Sequence, residues 1–305
     1  MRVAFFVGND VTSHLIVNQA FPRILEAGHT PYLCYTRQRP APRAEPELRE
    51  LFHYERGLLD GCVYPYLDSL PAPLHGTFLS PAGIARLHRG AVVVRSVEDV
   101  NSPEFVASLA ADGVGVGFSV RCYQKFRLPL IAHFSPEAGA EPLFANLHPG
   151  ILPQYRGVLT FARSMLHGEA EAGFTLHRVD EDWDAGEILA TCTRPLDYGL
   201  SVLENMWAQV DPAVDLLLAA VDEAAALGRW TGRPQQAELA GYYSHLDRSD
   251  LERMSRAGID LMRPQSVLAK LVDSFTPPDS PEGLRLGGIL TGLTSRRPGM
   301  APALG

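Results

Sequence analysis

Short apolar blocks alternate with longer, helically spaced segments along the first two thirds of this chain. Arg2 to Val7 is an apolar run closed by Gly8-Asn9-Asp10, the length and composition of a buried strand. His14 to Glu26 then carries Leu15, Ile16, Ala20, Phe21 and Ile24 at helical spacing, and Gly28 supplies the stop. Thr30 to Tyr35 is a second strand, so the chain opens as strand, helix, strand, the unit of a parallel sheet. Residues 36 to 55, mixed in charge and holding three prolines, read as a loop and a polar helix. Ala91 to Val94 and Val114 to Val120 are further strands, with a helix opened by Ser102-Pro103-Glu104 between them. Gly113, Gly115 and Gly117 interleave with Val and Phe instead of opening a helix, which argues for strand over a dinucleotide loop.

The alternation continues with strands at Phe144 to Leu147, Phe174 to Arg178 and Ile188 to Arg194, and a helix at Thr160 to Leu166. Ser201-Val202-Leu203-Glu204 has the form of a capping box, and Asp211-Pro212 starts a helix bearing Val214, Leu217, Leu218 and Val221 up to Gly228. Past Gly228 the periodicity fades, leaving Tyr242-Tyr243 and Leu251 to Met262 as a small appendage. The prolines and glycines from Pro277 onward predict a loosely held tail. The pattern therefore predicts an α/β fold: a mostly parallel sheet with flanking helices over 1–200, and a smaller, mainly helical C-terminal region over 201–275. That region is a candidate dimer or acceptor-side element, and a Pro/Gly-rich tail follows over 276–305.

Composition narrows the class. With 46% apolar and 20% charged residues, the 305-residue chain has the make-up of a globular enzyme. A net charge of −8 and the lack of any dense basic run argue against nucleic acid or acidic lipid as partners, since such binding draws on Lys and Arg. No apolar run approaches a membrane span. Cys34, Cys62, Cys122 and Cys192 are scattered without zinc spacing, and the amino terminus has no signal-peptide character. The expectation is a reduced cytoplasmic protein.

The chemistry concentrates in two stretches. Asn146 and His148 stand at the end of a predicted strand, where i and i+2 spacing sends both side chains to one face. Turn-formers follow in Pro149 to Gly157, so the pair sits where strand gives way to loop, the ligand-binding end of an open α/β sheet. Asp184, in Val179-Asp180-Glu181-Asp182-Trp183-Asp184-Ala185-Gly186, adds a carboxylate. An amide, an imidazole and a carboxylate together suit acyl transfer without a metal or a covalent intermediate.

Three linked motifs carry a family resemblance: Asn146-x-His148, Leu152-Pro153-x-Tyr155-Arg156-Gly157, and Gly173-x-Thr175-x-His177 through Asp184-x-Gly186-x-Ile188. They are similar to the signature of the folate-dependent formyltransferases, which include glycinamide ribonucleotide, methionyl-tRNA and amino-sugar formyltransferases. The resemblance covers residues 90 to 195 well and the last third hardly at all. It implies a Rossmann-like domain, 10-formyltetrahydrofolate as cosubstrate without a metal, and Asn146, His148 and Asp184 as the catalytic trio. It also implies that Val179, Asp180, Glu181, Asp182 and Trp183 wrap the pteridine ring, with Ser119, Arg121 and Cys122 on a second folate-lining loop.

Gly8, Asn9, Tyr155, Arg156 and His177 are expected on the acceptor side or in support of it. The loop Gly8 to Ser13 lacks the phosphate nest of the purine-pathway enzymes but keeps donors for a smaller anion site. Gly150 stands where many family members have Ser, and no barrel-like second domain of the tRNA-directed members is legible. The acceptor expected is a primary amine of a small metabolite, with a nucleotide-linked amino sugar as the narrower choice and a homodimer left open. Competing readings are a formyltetrahydrofolate hydrolase, a noncatalytic folate-binding protein, and a metal-dependent hydrolase built on His148, His177 and Asp184.

Overall fold

Alternation along the first strand sets the layering. In β1 (Arg2–Val7), Val3, Phe5 and Val7 enter one apolar core while Ala4 and Phe6 enter a second on the opposite face, the two-residue period of a strand buried on both sides. A computed structural model of the chain describes residues 1–36, 44–135, 137 and 140–294. After β1 come α1 (Val11–Glu26), β2 (Thr30–Thr36), α2 (Pro46–Phe52), α3 (Tyr64–Asp68), α4 (Pro81–Leu87), β3 (Val93–Val97), α5 (Pro103–Ala111), β4 (Val116–Val120), α6 (Leu128–His133) and β5 (Phe144–His148). The chain continues through β6 (Arg156–Gly157), α7 (Thr160–Leu166), β7 (Glu171–Arg178), β8 (Ile188–Pro195), α8 (Val202–Trp207), α9 (Val210–Leu227), β9 (Tyr242–Tyr243), α10 (Arg248–Arg256), α11 (Pro264–Phe275) and α12 (Pro281–Thr294).

Seven strands form one sheet in the order β3-β2-β1-β4-β5-β7-β8. The first five are mutually parallel, whereas β7 runs antiparallel to β5 and β8 antiparallel to β7. This is the Rossmann-like, mostly parallel α/β fold expected from the sequence, with β1 and β4 flanking the point where the strand order reverses. Short β6 and β9 pair in a separate two-stranded ladder. Stacked Phe5 and Phe118 fill the larger core beside Phe21, and Phe6, Phe134 and Phe144 fill the smaller one. Each fully buried aromatic ring contributes about 1.5–3 kcal/mol of burial free energy.

Several elements differ from, or add to, what the pattern predicts. Pro281–Thr294 is a helix, and Leu286 and Leu290 are fully buried in the main core, while Tyr66 Oη donates to the Glu282 carbonyl at 2.9 Å. Prolines thus mark the start of α12 rather than a loose tail, because proline is accommodated in a helix's first turn; residues 295–305 lie outside the described residues. Second, Val210, Val214, Leu217 and Val221 of α9 are buried in the main core with α1 and the sheet, so this stripe covers the sheet. Third, the segment read as loop and polar helix is a helical run from α2 through two π-helical turns, His53–Gly57 and Leu59–Val63, into α3. Its buried face runs through Leu51, Tyr54, Glu55, Leu58, Leu59, Cys62 and Val63, an amphipathic helical stripe that turns Glu55 inward. Residues 37–43 of that segment lie outside the described residues. The strand read at Ala91 to Val94 is shifted to Val93–Val97 by its register on β2.

Candidate active site

Register gathers the polar groups. On β5, Phe144, Asn146 and His148 share a face: Phe144 closes the smaller core, and the two polar residues emerge beyond it at the strand's carboxyl end. Asn146 lies opposite Ser119 of β4 and His177 of β7, so three polar side chains form a row across the sheet. The ring Nδ1–H of His177 donates to the Arg178 carbonyl at 2.9 Å, which leaves Nε2 to accept from the Asn146 amide at 3.1 Å. That bond sets the orientation of the Asn146 amide. Its second N–H is held only by a 3.4 Å bond to Asp184 Oδ1.

His148 is oriented from behind. Its Nε2–H donates to the Tyr155 carbonyl at 2.6 Å, so the neutral ring carries its lone pair on Nδ1, which lies 3.5 Å from Asp184 Oδ1. Gly150 permits this bond, because a Cβ there would sit 2.8 Å from His148 Nε2 and 2.7 Å from the Tyr155 oxygen. The departure from Ser noted in the sequence is therefore demanded by the packing around the imidazole. Thr175 holds the same loop, accepting from Leu152 N–H at 3.1 Å and donating to the Gly150 carbonyl at 2.7 Å.

Asp184 adopts a left-handed backbone, φ 52°, a conformation Asp tolerates better than most residues. Gly157 N–H donates to its Oδ2 at 2.8 Å, and Gln235 Nε2 donates to the carbonyls of Asp184 and Gly186 at 2.9 and 2.7 Å. Gln235 in turn accepts from Arg156 Nη2 at 2.8 Å. It is delivered by a bridge in which Arg233 exchanges backbone bonds with Ile188 at the start of β8. The sequence carries no signal for Gln235, since neither its spacing nor its neighbours mark it out.

Burial pushes the Asp184 carboxyl up, but the His148 ring beside it and the Gly157 N–H outweigh it and hold the group well below the usual carboxylate range. Burial pulls His148 down, Asp184 opposes it, and His177 and Arg121 pull it further down, so the imidazole is less basic than an ordinary histidine. A neutral base beside an ionised carboxylate is the result.

Two cavities meet at Asn146 and Asp184. A slot of about 50 Å³ is lined by Ser119, Cys122, Asn146, His177 and the 179–184 loop, with Gln124, Lys125 and Phe126, none of them singled out in the sequence, on its other wall. Seven of the eight residues expected to line folate are there; Arg121 is not. The slot holds only about four waters, and half-exposed Trp183 stands on the loop that lines it. The second cavity, of about 330 Å³, shares Cys122, Asn146, Trp183 and Asp184 with the slot and adds His148. Val202, Leu203 and Met206 of α8 also line it.

The remaining expectations sort by location. Arg121, with a left-handed φ of 54°, lies in the floor of the larger cavity, its Nε 3.0 Å from Asp10 Oδ1 and its Nη2 2.5 Å from Glu55 Oε1. Burial opposes its charge, but Asp10 and Glu55 keep it firmly protonated. The anion site expected at Gly8 to Ser13 is closed by the same network: Asp10 caps α1, accepting from Ser13 N–H at 3.0 Å, and Gly8 N–H donates to Val120. Gly8 and Asn9 line neither cavity. Gly8 lets its loop approach the Arg121 turn, and Asn9 donates to Asp60 at 3.1 Å, so both are support. Tyr155 and Arg156 also stand behind the site, Tyr155 stacked on Tyr243 and donating to Glu169 at 2.6 Å. Glu55 and Arg56 also line the larger cavity, and the sequence sign of them is an adjacent pair of opposite charges inside an apolar helical stripe.

Among the described residues no three His, Cys, Asp or Glu side chains are grouped to hold a metal ion, and no helix is long and apolar enough to cross a membrane.

Comparison with known proteins places these features. Residues 139–211 match the formyl transferase family. The methionyl-tRNA formyltransferase of Roseiflexus sp. is 32% identical over 189 residues, covering 58% of this chain and 56% of its own length. That of Clavibacter michiganensis is 31% identical, covering 65% of this chain and 61% of its own. The chain thus spans about three fifths of the length of these curated relatives. Among solved structures, a sugar N-formyltransferase from Shewanella superposes with a TM-score of 0.51 at 16% identity, covering 84% of this chain and 87% of that one. An N-formyltransferase from Helicobacter canadensis, in complex with folinic acid and dTDP-3-aminofucose, gives 0.52 at 15% identity over 82% and 71%. Glycinamide ribonucleotide transformylase 1 from Symbiobacterium toebii gives 0.52 at 17% over 77% and 93%. At these identities the structural likeness is one of fold.

Proposed function

Since this chain belongs to the broad family of folate-dependent formyltransferases, we propose that it moves the formyl group of 10-formyltetrahydrofolate to a primary amine of a small molecule. The observation that carries this reading is that two cavities meet at Asn146 and Asp184, with His148 lining the larger of them. The smaller slot, edged by the backbone of 179–184, is the place for the folate, which supplies an activated formyl carbon when bound. The larger cavity is the place for the amine, and its size favours an organic acceptor over water, hence transfer over hydrolysis.

The chain's own groups divide the work. The Asn146 N–H that is held loosely by Asp184 exchanges that bond for the formyl oxygen as negative charge develops there; losing such a donor costs about 10² to 10³ in rate. His148 Nδ1, kept proton-free by the bond from Nε2–H to Tyr155, takes the proton of the attacking amine and returns it to the departing nitrogen. Asp184, held ionised, stabilises the imidazolium formed between those two events. His177 acts through Asn146 by setting its amide.

Binding and chemistry separate cleanly in one test. Trp183 is half exposed whereas Trp207 and Trp230 are buried, so 5-formyltetrahydrofolate should change the tryptophan fluorescence through Trp183. His148→Ala should retain that response within about threefold in affinity. The same variant should lose formylation by about 10² to 10⁴, read as tetrahydrofolate release and a product carrying formyl in place of hydrogen. Turnover within tenfold of the unmodified protein would overturn the assignment.

A further inference from the structure

The lining of the larger cavity carries the acceptor's chemical class, an inference that rests on the formyl-transfer reading above. Most of its wall is apolar: Leu51, Val158, Leu159, Phe161, Leu203 and Met206 line it. Its charged groups sum to zero, Arg56 and Arg121 against Glu55 and Asp184, and no lysine is among them. Arg121 is not available to a ligand, because Asp10 and Glu55 hold it and its Nη1 lies 2.9 Å from Met206 Sδ. The N-terminal amides of α1, a ready phosphate site in other folds, are capped by Asp10.

Arg56 is different. Its guanidinium lies 4.3 Å from the Phe52 ring centroid and 4.5 Å from that of Tyr123, and its Nη2 donates to Tyr123 Oη at 3.1 Å. Glu55 lies 3.6 Å from Nε, which is shut off from any ligand, whereas Nη1 is not shut off and has no hydrogen-bond partner among the described residues, so it is the donor left open. A guanidinium held largely out of water with one donor open to a cavity favours a carboxylate there, because a charge-assisted hydrogen bond is stronger than a neutral one. Two rings clamp it so that little rotamer freedom is lost on binding.

We infer that the larger cavity takes a zwitterionic amine with a mainly apolar body, whose single carboxylate pairs with Arg56 while its amine meets His148 and Asp184. Such a ligand brings no net charge into a lining that has none, and its body replaces water on aliphatic and aromatic walls. A nucleotide-linked amino sugar brings a diphosphate whose two or more negative charges would meet one usable guanidinium, with Glu55 already paired to Arg121 and Asp184 still ionised, so its charge is less well compensated than a single carboxylate's.

Calorimetric titration in the presence of 5-formyltetrahydrofolate tests this without relying on turnover. The probes are L-phenylalanine against phenethylamine, 4-(aminomethyl)cyclohexanecarboxylate against cyclohexylmethylamine, and a dTDP-linked 3-amino sugar. In at least one pair the carboxylate-bearing member should bind about 10- to 100-fold tighter than its partner, the range of a charge-assisted hydrogen bond. Arg56→Gln should bring the pair within about twofold, and Arg56→Lys should recover only part of the difference because the planar stack between the rings is lost. Binding of 5-formyltetrahydrofolate by both variants verifies that they are folded. Tighter binding of the nucleotide sugar than of all four amines, no binding by any of the four, or a pair ratio unchanged in both variants overturns the inference. A zwitterion that binds as stated but releases no tetrahydrofolate from the 10-formyl donor counts instead against formyl transfer, and an efficiently formylated nucleotide sugar counts against the inference alone.

Discussion

Replacing Asp184 by Asn isolates one charge. The substitution keeps the side-chain shape and an oxygen that can still accept from Gly157 N–H, at 2.8 Å in the native site. It removes the anion 3.5 Å from His148 Nδ1, where both side chains are at least 90% shielded from solvent. Coulomb's law at that separation and an effective dielectric of about 20 gives about 5 kcal/mol for a full charge pair. An imidazolium about half formed in the transition state loses about half of this, 2–3 kcal/mol, or roughly 10² in kcat. With its oxygen turned to Gly157, the Asn amide directs an N–H at His148 Nδ1 and occupies the lone pair that must take the amine proton, so the loss should reach about 10³. The assay is initial-rate tetrahydrofolate release at saturating donor and amine, with the donor's KM measured beside kcat. The expected result is a kcat lower by 10² to 10³ and a donor KM within about threefold. A fall below tenfold, or a loss appearing only in KM, would refute the electrostatic role of Asp184.

Three further outcomes follow from the same geometry. His148 is depressed by burial more than Asp184 raises it, so an NMR titration of its ring should show a midpoint below the ordinary value of about 6.5. Because the base form exists above that midpoint, kcat should persist to lower pH than an ordinary imidazole allows, and Asp184→Asn should move the midpoint lower still; a midpoint above 6.5 contradicts the stated balance. Gln235→Ala removes two donations to the carbonyls of Asp184 and Gly186 and the acceptor of Arg156. It should cost about 1–3 kcal/mol in urea unfolding and lower kcat about tenfold at temperatures where the variant is fully folded; unaltered kcat would mean the Asp184 loop holds its shape without Gln235. Leu286 is fully buried, so Leu286→Ala should destabilise by about 2–5 kcal/mol, whereas a change under about 0.5 kcal/mol would show that α12 is not packed.

Local pattern made much of the molecule legible. The buried runs of β1, β2, β4 and β5, the helix start at Ser102 and the capping box at Ser201 all depend on neighbours within a turn or two, and each stands where the sequence places it. The convergence of Asn146 and His148 needed only the two-residue period of a strand, and its position at a strand end needed only the turn-formers after it. Helix α12 is not legible in the sequence because Gly287 and Gly288 and the preceding prolines lower helix propensity, which burial of Leu286 and Leu290 overrides.

By itself, then, the sequence determined the layered sheet, the chemical identity of the trio and the strand that presents two of its members, because periodicity and turn chemistry are local. Tertiary structure alone decided what surrounds them. Asp10 and Glu55 neutralise Arg121 from elements far apart in the chain, the Tyr155 carbonyl selects the His148 tautomer, and Gln235 braces Asp184 from 51 residues away. Each of these depends on burial and on partners brought together by the sheet, and the strength of an electrostatic contact is set by its enclosure, which no local pattern encodes.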